Sequence, residues 1–82
     1  GDINAQRATV LRANAELPKA EAEFAKADAE FQQAQRDYKR FQDLFRSGAV
    51  SESEVQNREL TLKTREKQRK QALQAVEQAR LE

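Results

Sequence analysis

Counting in sevens from Ile3, the chain places a large apolar residue at Val10, Leu17, Phe24, Phe31, Tyr38 and Phe45 without a miss. A repeat of that length marks a helix that buries one stripe against another helix. Three residues after each of the first six lie Gln6, Ala13, Ala20, Ala27, Ala34 and Phe41. The second seam position is therefore mostly small, which lets a partner helix approach closely.

The repeat ends at Arg46-Ser47-Gly48-Ala49-Val50. Gly48 suits the left-handed position just past a helix end, and Ala49 can then touch Leu44 across a Schellman turn. A second helix starts at once. Ser51 is followed three residues on by Glu54 as a capping box, and Val50 and Val55 bracket it as a hydrophobic staple. A connection this short forces the helices back as antiparallel neighbours. The sequence thus predicts an all-α fold, an antiparallel two-helix coiled-coil hairpin. Helix 1 is expected at about 3–46, the turn at about 47–50 and helix 2 at about 52–81.

If Phe45 faces Val55, the layers can be followed down the hairpin. Tyr38 meets Leu62, Phe24 meets Val76, Ala27 meets Leu73, and Phe41 lies over Glu59. In the middle, Phe31 would face Arg69 and Ala34 would face Glu66. Long charged side chains can lay their stems over such neighbours and keep the charge in water, so this stretch is expected to be weak. Helix 1 would be roughly 65 Å long and helix 2 roughly 45 Å. The first fifteen or so residues then need a partner from sequence beyond this chain or from another molecule. Pro18 lies where that overhang begins, and it predicts a kink near Leu17 or a separate helix starting there.

Composition narrows the class. Only 38% of residues are apolar and 35% are charged, which suits a linear seam and not a sheet-containing core. A fully buried apolar side chain contributes about 1.5 to 3 kcal/mol, against an ordering cost of about 1.5 kcal/mol per residue. The isolated hairpin is expected to be marginal, with neighbouring hairpins supplying part of its stability. The formal net charge is +1, which leaves no overall footprint for nucleic acid or anionic lipid. There is no Cys for disulfide or thiolate chemistry and no His to act as general base or metal ligand. No apolar run approaches the roughly 20 residues that cross a bilayer. The chain opens on Gly1 and stops in mid-pattern at Ala79-Arg80-Leu81-Glu82, so it reads as a segment of a larger protein.

No catalytic, cofactor or metal site is expected, because no Gly-rich phosphate loop, metal-spaced cluster or nucleophile constellation is present and a two-helix hairpin offers no cleft. The carboxylates, Asp37 with Asp43 and Glu52 with Glu54 among them, read as solvated surface charge. The run Lys63-Thr64-Arg65-Glu66-Lys67-Gln68-Arg69-Lys70 holds five basic residues, which spread around the helix circumference and read mainly as a solvated face. The tip carries the informative set. Arg40 and Leu44 are four apart on one helical face, and Ser51 caps the next helix beside them. Ordinary punctuation explains Ser51 and Leu44 well, with Arg40 compensating the negative end of helix 1. It explains less well a basic, apolar and polar trio at the end of a long, thin projection.

The stretch from Tyr38 to Glu54 resembles the hairpin tip of the periplasmic adaptor proteins, the HlyD-type membrane fusion proteins. Their pattern is an Arg, a Leu four residues on and a Ser seven after that, and Arg40, Leu44 and Ser51 fit it, with Gly48-Ala49-Val50-Ser51 as the turn. The resemblance implies a non-enzymatic adaptor in the periplasm, its parent anchored at the inner membrane of Gram-negative bacteria. It further implies tip-to-tip docking of Arg40, Leu44 and Ser51 on a TolC-type outer-membrane channel, and a homo-oligomeric ring, commonly a hexamer. The inner-membrane transporter would be served through domains outside this chain, with the ABC type favoured. Two other classes stay open: a nucleic-acid-binding arm like that of seryl-tRNA synthetases, using Arg65, Lys67, Arg69 and Lys70, and a prefoldin-like chaperone or scaffold hairpin.

Overall fold

The computed structural model describes residues 2–81, and the side chains of residues 3–8 and 15–81. Two helices account for nearly all of them: α1, Asp2–Arg46, and α2, Glu52–Leu81. They lie against each other as an antiparallel hairpin, a rod of 70 × 15 × 13 Å. Among the described residues there is no strand. The seam positions Val10 and Ala13 lie outside the described side chains, and Gly1 and Glu82 outside the described residues.

α1 runs unbroken through Pro18, so no separate helix starts there. A proline inside a helix loses one backbone hydrogen bond and crowds the preceding turn, at about 3 kcal/mol. Here its ring is exposed, while Ala20 two residues later is buried against α2 at 7% exposure. Continued helix on both sides, seam packing on one, outweighs the local cost.

On α1 the seam follows Leu17, Ala20, Phe24, Ala27, Phe31, Ala34, Tyr38 and Phe41, all buried or half-buried. At the next step the expected repeat fails. Phe45 is 47% exposed, and Leu44 is the half-buried residue. The closing loop causes this, because it folds back onto the carbonyl of Leu44 and leaves Phe45 beside it uncovered. The expected Phe45 to Val55 layer is therefore not a closed one.

On α2 the inward residues are Val55, Leu62, Arg69 and Val76, with Glu59, Arg65, Ala72 and Ala79 between them. Two expected layers are shifted. Ala72 is half-buried while Leu73, expected opposite Ala27, is 37% exposed. Glu66 is exposed and Arg65 takes its inward place, so Ala34 does not face Glu66. One residue is about 100° of helix rotation, enough to move a side chain from seam to solvent. Near the tip the guanidinium of Arg58 lies 4.4 Å from the ring centroid of Phe41, and Glu59, the neighbour expected there, is half-buried.

The middle of the hairpin carries two ties between the helices. Arg65 Nη1 donates to Glu30 Oε2 at 2.9 Å, and Arg69 Nε donates to Asp28 Oδ1 at 2.7 Å. The Arg69 guanidinium also lies over two rings of α1, 5.1 Å from the centroid of Phe24 and 5.7 Å from that of Phe31. Its charge is thus shared between a carboxylate, aromatic faces and the water that reaches a side chain 37% exposed. Among the described residues only Ala20, Ala34 and Val76 are buried, which is what a single seam allows.

The hairpin tip as a candidate docking site

The tip is built from backbone chemistry first. Ala49 N–H donates to Leu44 O at 2.9 Å and Gly48 N–H to Phe45 O at 3.0 Å, the paired bonds of a Schellman motif. Gly48 has φ 78°, the left-handed conformation that the motif needs and that a side chain resists. A Cβ there would meet nothing within 4 Å, so the constraint is the backbone angle and not space. The Ser47 hydroxyl donates to Leu44 O as well, at 2.8 Å.

α2 opens on a reciprocal cap. Glu54 N–H donates to Ser51 Oγ at 3.1 Å, and Ser51 N–H donates to Glu54 Oε2 at 2.8 Å. Val55 N–H then donates to Ser51 O at 3.2 Å and starts the helix. The acidic groups Glu52 and Glu54 in this first turn and Arg46 in the last turn of α1 each complement the helix end they occupy. Val50 and Val55, on either side of the cap, are half-buried.

On this frame the three nominated residues have different standing. Ser51 is exposed, but its hydroxyl is committed to the cap. Leu44 is half-buried under the loop and presents part of its side chain outward. Arg40 sits one turn further down α1, with its side chain 60% exposed and Nη2 donating to Asp37 Oδ1 at 2.9 Å. Asp37, which the sequence suggests is solvated surface charge, is instead largely covered. Its side chain is only 19% exposed, and it also accepts from Gln33 Nε2 at 2.9 Å. Gln33 thus bonds Asp37 and Asp37 bonds Arg40, and the three-residue spacing of Asp37 and Arg40 was the available signal. Below the loop, Phe41, Glu54, Asn57, Arg58 and Thr61 line a hollow of about 210 Å³ on one side of the tip.

The basic run of α2 divides in two. Arg65 and Arg69 turn inward to α1, while Lys63, Lys67 and Lys70 are exposed. At spacings of four and three these lysines share one outward stripe, where an even spread was expected. Of the four residues nominated for nucleic-acid contact, Arg65 and Arg69 are already engaged within the hairpin. Among the described residues no acidic cluster could hold a metal ion, and no helix is long and apolar enough to cross a membrane.

With the geometry in place, the chain can be set beside known proteins. Residues 16–82 match the family model described as RND MFP, alpha-helical hairpin domain. Comparisons with curated proteins and with solved structures found no match.

Proposed function

The chain belongs to the RND membrane fusion proteins, as their alpha-helical hairpin domain, and from that premise we propose that it bridges an inner-membrane transporter to a TolC-type outer-membrane channel. The family role is that of an adaptor. The finer reading is that the tip docks end to end on the channel in the periplasm, with several copies, six in the simplest ring, presenting their tips together. The inner-membrane partner on this reading is a transporter of the RND class named in the family description, in place of the ABC type that the sequence alone favoured.

The observation that carries the proposal is the place of Arg40 and Leu44 beside a hydrogen-bonded turn at the end of a 70 Å rod. Schellman bonds on one side and a closed capping box on the other leave the turn little freedom. Docking then requires little ordering of the tip, which favours affinity. Arg40 is mostly exposed, and its bond to Asp37 is a surface pair of small net worth, so the guanidinium can turn to carbonyls of a partner's helix turns. Leu44 supplies an apolar contact, and Ser51 holds the cap that sets the angle between them.

A cysteine in place of Lys39, beside Arg40, tests this against a purified TolC-type channel. Cross-links are expected, with Arg40→Ala and Leu44→Ala each lowering their yield several-fold. Absence of cross-links, or yields unchanged in both variants, refutes the docking.

A further inference from the structure

Toward the turn, two arginines converge on one ring. Arg58 of α2 places its guanidinium 4.4 Å from the centroid of Phe41, and Arg40 of α1 places its own 5.9 Å from the same centroid. Arg58 precedes Arg65 by one heptad, and Asp37 follows Glu30 by one heptad. In an antiparallel pair these steps lead from one ion pair to the place of the next, so the register offers Asp37 to Arg58 as it offers Glu30 to Arg65. Asp37 is instead bonded to Arg40, at 2.9 Å. Two cations therefore meet at Phe41 with one carboxylate for the two.

The other acidic groups of the tip are engaged elsewhere. Asp43 pairs with Arg46 at 3.5 Å and Glu59 with Lys63 at 3.3 Å, while Glu52 accepts from Gln56 at 3.5 Å. Glu54 lines the same hollow as Arg58, but its Oε2 accepts from the Ser51 N–H at 2.8 Å, at the positive end of α2. Among the described residues Arg58 is left without an ion pair or a side-chain hydrogen bond. It is exposed, and it opens onto the hollow of about 210 Å³ that Phe41, Glu54, Asn57 and Thr61 complete. A guanidinium held over an aromatic ring keeps the donors at its edge while it loses rotamer freedom. Such a group is ready to receive a carboxylate on two parallel N–H bonds.

We propose that Arg58, seated on Phe41, is a further docking residue that receives an acidic side chain at the periplasmic end of the outer-membrane channel. The inference rests on the docking proposed above and adds to it a contact from α2, since Arg40 and Leu44 both belong to α1. Charge complementarity decides the occupant. An arginine short of a counter-ion, with a second arginine at the same ring, attracts a carboxylate and repels a basic side chain. A contact from each helix then sets the rotation of the tip about the axis of the rod.

The test takes the chain carrying Lys39→Cys as parent, in cross-linking to a purified TolC-type channel, and adds Arg58→Gln, Arg58→Lys or Arg58→Glu. Arg58→Gln is expected to lower the yield about five-fold, Arg58→Lys to lower it less because the charge stays and the fork is lost, and Arg58→Glu to lower it most. Parent yields are expected to fall more steeply with added salt than those of Arg58→Gln, which has one interfacial charge pair fewer to screen. Acidic residues at the channel's periplasmic end are then changed to lysine one at a time, and one such channel is expected to restore cross-linking to Arg58→Glu. Loss of hairpin stability cannot produce that restoration. Parent cross-links that Arg58→Gln leaves unchanged, or the lack of any restoring channel, overturn the carboxylate contact and leave the docking standing. Absence of cross-links from the parent overturns the docking, and this contact with it.

Discussion

The tip and the middle of the hairpin tie the same two helices together by opposite means. At the tip every bond that fixes the return is local: Ala49 to Leu44, Gly48 to Phe45, Ser51 with Glu54. In the middle the ties join residues 35 and 41 positions apart, Glu30 with Arg65 and Asp28 with Arg69. Local bonds form wherever the right residues follow one another. Distant pairs exist only once the helices have met in one register, and they reward that register over its neighbours. The tip therefore specifies direction, and the middle specifies alignment.

The largest effect is expected at the most buried seam position, beyond the middle of the hairpin. Val76→Ala removes side-chain volume at a 4% exposed position and is expected to cost about 2 kcal/mol in urea unfolding followed by helical circular dichroism. Arg69→Ala comes next, at about 1 to 2 kcal/mol, since it removes a charged hydrogen bond and two ring contacts, discounted for a side chain 37% exposed. Molar salt should shrink this loss and leave that of Val76→Ala unaltered; an equal response of the two variants would remove the ionic share. Gly48→Ala should cost about 1 kcal/mol from its positive φ alone, because the added methyl meets nothing. The check is that Gly48→Asn, which tolerates the left-handed angle better, falls between the two. Smallest is Arg40→Ala, expected within about 0.5 kcal/mol of the parent because its pair with Asp37 is exposed and local. A large loss of stability there would mean that Arg40 is a structural residue, and any effect on channel cross-linking would lose its meaning.

Membership in the adaptor family gives the contrast a use. On the docking proposed above, a tip that meets another protein in one geometry is served by bonds that do not depend on the rest of the rod.

What the sequence determined by itself lies where cause and effect are close in the chain. The heptad of α1 from Leu17 to Phe41, the stop at Gly48 and the start at Ser51 and Glu54 follow from side-chain size, backbone freedom and hydrogen-bonding groups within a few residues of each other. Continuity through Pro18 was decided differently, because seam packing at Ala20 and beyond outweighed a local preference to break. The tertiary structure also chose Leu44 over Phe45 at the loop, Ala72 over Leu73 and Arg65 over Glu66 in the seam, and Asp37 as the holder of Arg40. Each of these turns on about 100° of helix rotation or on a partner in another turn or another helix. A repeat of apolar residues fixes which stripe is buried, but where that stripe carries arginines, only the facing helix decides which of them turn inward and what they bind.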